Sequence, residues 1–376
     1  MSDRPVVSSG QHHDGRTPSK AAGAYSLAEI LSQPEAWGKS LEKLDQGGQL
    51  RDVRRDFSKA EGWLFIGCGS SYYVALAAAA TMNSVSPLPA RALPASEILL
   101  YPELVLASAK NFVPVLISRS GKTSEVLQAT ELLNSRSFPT LAITCAAGQP
   151  LEALASRTIL LPADEQSTVM TRSFSSMLLA LQELAAVISG NSGLSDALHR
   201  LPQSSATMPS QISNVVRQFV ATHDFADYVC LGQGPFYGLA CEYALKVTEM
   251  SISYSQAFHS LEFRHGPKSI VGPETLLTFL ISEPGCDAES ELLFEMKSLG
   301  ATTLVVTNKA DSRVRAASDL LIELSLDIPE LARLTPSLFA GQLLGLHTGI
   351  HKGLDPDNPR NLSRVVMLDE SKHATL

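Results

Sequence analysis

Trp63-Leu64-Phe65-Ile66-Gly67-Cys68-Gly69-Ser70-Ser71 decides the fold: a short apolar run stops at a glycine-rich turn, and an alanine-rich helical pattern follows to about Asn83. The same order recurs. Val113 to Ile117 reads as a second strand, ended by Ser118-Arg119-Ser120-Gly121-Lys122-Thr123-Ser124 and followed by a helical pattern through Leu133. Thr140 to Thr144 and Thr158 to Leu161 supply a third and a fourth. Strands alternating with helices of this length predict an α/β fold built on a doubly wound, mostly parallel sheet flanked by helices.

The pattern is repeated at long range. Val229-Cys230-Leu231-Gly232-Gln233-Gly234 resembles residues 64–69 at an offset of 165, Leu280-Ile281-Ser282 resembles Leu116-Ile117-Ser118 at 164, and Val305-Val306-Thr307 resembles Ala142-Ile143-Thr144 at 163. A nearly constant offset across three strands predicts two tandem copies of one domain, joined in the polar stretch Ser189 to Pro209. Residues 1–24, rich in Ser, Gly, His and Arg, are expected to form a disordered tail. The first domain is expected over 25–195, the second over 210–366, and a second tail over 367–376. Helices open the first domain, with Leu27, Ile30 and Leu31 on one face and Trp37, Leu41 and Leu44 beyond Pro34.

Composition narrows the function. A chain of 376 residues suits two domains. The 30 lysines and arginines against 38 acidic residues give a net charge of −8, with no basic block to hold nucleic acid. The five cysteines are scattered without a C-x-x-C pair, the usage of a reduced cytoplasmic protein without disulfides or structural zinc. No apolar run approaches the roughly 18 residues that span a bilayer, and Met1 to Lys20 lacks the apolar segment of a signal peptide. Neither membrane nor nucleic acid is an expected partner.

Ser118, Ser120, Thr123 and Ser124 gather around Gly121 where a strand meets a helix, the place where open parallel sheets bind ligands and helix N–H groups face anions. Such residues also cap helices everywhere, but four around a glycine favour a phosphoryl group. The second copy has Glu283-Pro284-Gly285-Cys286-Asp287 there, whose carboxylates repel an anion, so phosphate is expected in the first copy only. Two nucleotide motifs fail. Gly121-Lys122-Thr123 imitates the end of a Walker A loop, but Leu116 stands where its first glycine belongs, and Gly67-x-Gly69 has Tyr72 at the third glycine of a dinucleotide fingerprint.

Glu242, Lys246 and Glu249 share one helix face at i, i+4 and i+7, the spacing of a solvated charge stripe and also of a clustered acid-base site. The segment that follows, Phe258 to Lys268, carries His259 and His265 and ends in Gly266-Pro267, which reads as a site loop. His347 with His351, and His259 with Glu262 and His265, have metal-like spacing without third and fourth ligands. No metal and no redox cofactor are expected.

Gly67-Cys68-Gly69-Ser70-Ser71-Tyr72, Ser118-Arg119-Ser120-Gly121-Lys122-Thr123, Glu165-Gln166-Ser167-Thr168 with Thr171-Arg172-Ser173-Phe174, Ala244-Leu245-Lys246-Val247-Thr248-Glu249, Glu262-Phe263-Arg264-His265-Gly266-Pro267 and Asp357-Asn358-Pro359-Arg360-Asn361-Leu362 resemble the sugar isomerase (SIS) domain family. Glu29-Ile30-Leu31-Ser32-Gln33-Pro34 resembles the entry helix of the isomerase half of glucosamine-6-phosphate synthase, and the likeness runs from about Tyr25 to Val366. The resemblance implies two tandem SIS domains. It implies that Gly69, Ser71, Ser118, Ser120 and Thr123, with the backbone at Arg119, hold a sugar phosphate, that Thr168 offers a main-chain carbonyl, and that Ser363 lies in a segment closing over the sugar. It further implies that Glu249 is the carboxylate base and that His265, from a second subunit, assists ring opening, so the expected assembly is a homodimer with a shared site.

The chemistry fits those residue types. Moving a proton between C1 and C2 of an open-chain sugar needs one base able to take it and return it, and a carboxylate can do both. A histidine suits ring opening near neutral pH. Lys246 is expected to stabilise an enediolate oxygen, with Glu242 orienting it. Departures from the family pattern matter too. The Asn-Leu-x-Lys run of the synthase's isomerase half reads Asn361-Leu362-Ser363-Arg364 here, and an arginine forms no Schiff base under ordinary conditions, so Arg364 is expected to contact an anionic or carbonyl oxygen. Arg119 replaces a common glutamine, which would strengthen anion binding or favour another substrate. No glutamine-hydrolysing domain with an amino-terminal cysteine is read in the sequence. The expected function is isomerisation or deamination of a hexose or amino-hexose 6-phosphate. A deglycase of a fructosamine phosphate and a non-catalytic sugar-phosphate sensor are the alternatives.

Overall fold

A computed structural model describes residues 21–368. It contains two five-stranded sheets, each wholly parallel. The first consists of β1 (Gly62–Gly67), β2 (Ala90–Pro94), β3 (Phe112–Ile117), β4 (Leu141–Thr144) and β5 (Arg157–Leu160), in the order β2-β1-β3-β4-β5. The second consists of β6 (Asp227–Gly232), β7 (Ser255–His259), β8 (Thr275–Leu280), β9 (Thr302–Thr307) and β10 (Leu320–Glu323), in the order β10-β9-β8-β6-β7. Read from its other edge, the second sheet repeats the first, and both follow the doubly wound 2-1-3-4-5 arrangement.

All six residues of β1 are buried, as expected for a parallel strand covered on both faces. Successive side chains still take opposite sides. Phe65 joins a large core that also contains Leu280 and Val306 of the second sheet, whereas Leu64 and Ile66 join a separate cluster on the outer face. Val229, Leu231 and Phe279 form the corresponding outer cluster of the second sheet. One continuous core therefore lies between the sheets, and the Arg172–Ser189 and Glu330–His351 helices run through it.

The joint expected between Ser189 and Pro209 contains the Ser192–Ser204 helix, which buries Leu194, Ala197, Leu198 and Leu201, and whose cap Asn191 accepts the Leu194 N–H at 3.0 Å. Helical spacing of those apolar residues outweighs the surrounding serines and glutamines. Three expectations are corrected. Ala24, placed with the tail, opens the Ala24–Leu31 helix. Leu368 donates its N–H to Ser124 Oγ at 3.0 Å, so 367–368 are attached to the fold. Phe258 and His259 belong to β7 and not to a loop. The remainder of the expected tails, 1–20 and 369–376, lies outside the described residues.

Candidate active site

The turn after β1 requires glycine twice. A Cβ on Gly67 would lie 2.5 Å from the Ser71 carbonyl carbon, and Gly69 has φ 55. Together they bring the Ser70–Val85 helix down beside the strand end, with Ser71 in its first turn. The second loop is organised by Ser118, which is buried, accepts the Gly121 N–H at 3.2 Å and lies 3.3 Å from Thr123 Oγ1. Thr123 occupies the cap position of the Ser124–Ser135 helix but makes no side-chain cap bond. Its hydroxyl is thus not consumed by the bland capping role. Gly121, at φ 61, would press a Cβ to 2.9 Å from Gln149.

The helix that carries Glu249, Phe236–Ser251, is clamped by close backbone approach on two sides. Gly238 faces the Ser70–Val85 helix, where a Cβ would meet Tyr73 O and Ala77 N at 2.8 Å. Gly345 of the Glu330–His351 helix leaves room for the Lys246 carbonyl, to which a Cβ would come within 2.6 Å. This packing sets Glu249 of the second half beside the first half's loops. Gly69, Ser71, Arg119, Ser120, Thr123, Thr168, Glu249, Ser363 and Arg364 line one cavity of about 200 Å³.

Four residues expected at the site do not line it. Ser118 lies beneath, ordering the loop. Lys246 and Glu242 lie behind Glu249: Lys246 Nζ is 2.5 Å from Glu249 Oε2, 3.3 Å from Glu242 Oε1 and 3.2 Å from Ser70 Oγ, and neither Lys246 nor Glu242 exposes any side-chain surface. Ser70 also donates to Glu242 Oε1 at 3.2 Å, while Glu242 Oε2 is buried without a partner. Burial pushes the Glu242 carboxyl up to about 7 against the lowering effect of Lys246. Burial opposes the Lys246 charge, but the two carboxylates outweigh it and raise the ammonium above its ordinary value. His265 is exposed on a turn away from this cavity.

Arg119 is held by the protein. Its guanidinium pairs with Glu165 Oε2 at 3.1 Å and donates to the carbonyls of Thr168 at 3.1 Å and Arg364 at 2.8 Å. The Thr168 carbonyl accordingly accepts from Arg119. Arg364 donates to the Glu165 carbonyl and approaches Asp164 Oδ1 at 3.4 Å, and Ser363 Oγ donates to Val365 O at 3.0 Å. These bonds draw the 362–366 segment over the cavity, and Val366 O accepts the Ser124 N–H at 3.3 Å. Cys68, also in the lining, has its thiol pushed up to about 12, chiefly by burial.

Several supporting residues escaped a physical reading from sequence. Glu165 accepts the N–H groups of Thr171 and Ser173 at 2.7 and 2.9 Å, anchoring the start of the Arg172–Ser189 helix. Glu29 accepts from Ser167 Oγ at 2.6 Å, and Asp357 from the Tyr25 and Ser26 N–H groups at 2.9 and 2.7 Å. An acidic residue shortly before a helix start is a capping signal. Leu245, one turn before Glu249 and also in the lining, was legible from helical spacing. Of the metal-like histidines, His347 is buried 2.9 Å from Ser213 Oγ and His351 reaches Asp224 at 3.3 Å. Among the described residues, no three His, Cys, Asp or Glu side chains converge as metal ligands.

Residues 56–187 match the SIS domain family. The chain is 27% identical over 350 residues to the isomerizing glutamine–fructose-6-phosphate aminotransferase of Methanothermobacter thermautotrophicus, covering 92% of this chain and 58% of that protein. It thus spans under three fifths of the length of that relative. The crystal structure of glucosamine-6-phosphate deaminase from Thermotoga maritima has a TM-score of 0.76 and 29% identity, covering 92% of this chain and 100% of that one. Tagatose-6-phosphate ketose/aldose isomerase from Escherichia coli shares the fold at a TM-score of 0.81 and 24% identity, over 94% of this chain and 98% of that one. The segment that matches the SIS domain family, residues 56–187, contains the whole of the first sheet, and over more than nine tenths of its length the chain is similar to proteins named as phosphosugar enzymes.

Proposed function

We propose that the protein is a sugar-phosphate isomerase or deaminase, moving a proton between C1 and C2 of a hexose or amino-hexose 6-phosphate. The observation that carries this is the single cavity that Ser71, Ser120 and Thr123 line together with Glu249. The phosphate is taken by those hydroxyls and the backbone at Arg119, and the sugar extends toward Glu249, which removes a proton from one carbon and returns it to the next. Lys246, paired with Glu249 from behind, holds that carboxylate in place. The Thermotoga maritima relative, named a glucosamine-6-phosphate deaminase, supports ammonia as the second product from an amino-sugar.

The second sheet, which repeats the strand order of the first, is on this reading a diverged second SIS domain. His265 completes the site from the second subunit of a homodimer, consistent with its exposure away from Glu249 of its own chain. The five free cysteines support a reducing, cytoplasmic setting. No described helix is long and apolar enough to cross a membrane.

The experiment is a screen of hexose and amino-hexose 6-phosphates, read by ketose and ammonia formation, with Glu249→Gln as comparison. The variant is expected to bind the preferred sugar phosphate and to lose turnover by at least ~100-fold, the scale of general acid-base catalysis. Unchanged turnover in the variant removes Glu249 from the reaction. Binding without conversion by the wild-type protein favours a sensor instead.

A further inference from the structure

Thr168 and Met170 bring one irregular turn into the wall of the cavity that contains Glu249. Residues 161–171 form neither helix nor strand, so bonds from other elements must fix their path. Thr168 is held at both ends of its backbone. Its N–H donates to the Asp357 carbonyl at 3.0 Å, and its carbonyl accepts at 3.1 Å from Arg119, which belongs to the phosphate-side loop. A displacement of this turn therefore reaches both the cavity wall and Arg119.

The turn has a further holder, remote in sequence. The Ala24–Leu31 helix buries Glu29, which is 3% exposed. The Glu29 carboxylate accepts the N–H groups of Gln166 and Ser167, the second at 3.1 Å, and the Ser167 hydroxyl at 2.6 Å. All three donors are uncharged. Burial pushes the Glu29 carboxyl up, Ser167 opposes the rise and Glu165 adds to it. A buried carboxylate near another acidic residue is a costly way to pack a helix against a loop, and an apolar side chain would do that without the desolvation cost. What the carboxylate contributes instead is three directed bonds to two adjacent residues. The same helix is tied to the chain that leads into the 362–366 segment, because Asp357 accepts the N–H groups of Tyr25 and Ser26.

We propose, on the reading that this cavity holds the sugar phosphate, that Glu29 is a positioning residue for substrate binding: acting through Gln166 and Ser167, it fixes the turn whose Thr168 carbonyl orients Arg119 and whose Thr168 and Met170 wall the cavity. Glu29 touches neither the substrate nor the transferred proton, so its effect falls on affinity and not on the chemical step. Glu29→Ala leaves two N–H groups without their acceptor. Glu29→Gln keeps an acceptor for them, and its amide can donate to Ser167 Oγ, which then donates to Val169 O, 2.9 Å away. Glutamine is therefore the conservative replacement.

The test is steady-state kinetics of the full chain on the hexose or amino-hexose 6-phosphate it converts best, with melting temperatures alongside. Glu29→Ala is expected to raise KM at least ~10-fold, which is ~1.4 kcal/mol of binding, with kcat within about threefold of the wild type. Glu29→Gln is expected to return KM to within about threefold of the wild type. A role in stability alone gives a different split, since a smaller folded fraction lowers apparent kcat and leaves KM where it was. That split, or a Glu29→Gln variant as impaired in KM as Glu29→Ala, overturns the proposal. If Glu29→Ala does not fold, Ser167→Ala decides, because it leaves both main-chain bonds to Glu29 in place. A KM raised at least ~3-fold in that variant, at unchanged kcat, supports the proposal, and an unchanged KM overturns it. If the wild-type protein converts hexose phosphates while KM is indifferent to Glu29, this proposal alone fails. If it converts none, the parent reading fails and this one with it.

Discussion

Lys246 Nζ stands 2.5 Å from Glu249 Oε2, on a side chain with no exposed surface. The cavity-facing carboxylate is therefore held from behind by a cation outside the cavity lining. The contact expected between Lys246 and an enediolate oxygen would require Lys246 to reach a cavity it does not line; on the proposed function it positions Glu249 instead.

Lys246→Met removes the cation shared by two carboxylates and leaves an uncompensated buried charge. Breaking such a pair costs ~3–5 kcal/mol. Urea unfolding at pH 7 should show a loss of that order. Equal stability would mean that the trio is solvated and weakly coupled.

Glu242 gives stability a definite pH dependence. Its carboxyl is raised from 4.5 to about 7 by burial, so the folded state holds a proton that the unfolded state releases. Stability from this group is present below pH 4.5 and falls as pH rises from there to about 7. Glu242→Gln should flatten that fall, measured by denaturant midpoints at pH 5 and pH 7.5. Parallel profiles for the two proteins would show that Glu242 titrates normally.

Ser120→Ala with Thr123→Ala removes two hydroxyls from the phosphate side. Hydrogen bonds to charged groups contribute ~1.5–3 kcal/mol each, so affinity for hexose 6-phosphates should drop at least ~100-fold with little change in melting temperature. Titration calorimetry measures it, and unchanged affinity would move the phosphate elsewhere.

Gly345→Ala would drive a methyl to 2.6 Å from the Lys246 carbonyl oxygen, a backbone atom that cannot move aside by rotation. Overpacking of this kind costs ~1–3 kcal/mol. Because the displaced backbone carries Glu249 one turn later, turnover should fall along with stability. A stable but inactive variant would still support the clamp, whereas a fully active one would refute it.

Legibility differed by element. The central strands β1, β3, β4, β6, β8 and β9 were readable because buried parallel strands are continuous apolar runs closed by glycine or polar turns. The edge strands β2 and β7 were not, since Ala90-Arg91-Ala92-Leu93-Pro94 and Ser255-Gln256-Ala257-Phe258-His259 are only partly buried and carry polar residues. The hydroxyls around Gly121 and the Glu242, Lys246, Glu249 spacing were visible as local patterns. Their division into a cavity wall and a buried support was not.

Sequence alone determined the repeated strand-turn-helix pattern and the residue types able to meet an anion and move a proton, because the first follows from matching apolar runs at a near-constant offset and the second from spacing within single turns and helices. Tertiary structure decided that Arg119 is spent on Glu165 and the Thr168 and Arg364 carbonyls, that Lys246 is buried in an ion pair with Glu249, and that Glu249 lines a second cavity. Those outcomes depend on how closely helices remote in sequence approach, which glycines such as Gly238 and Gly345 permit and no local pattern encodes.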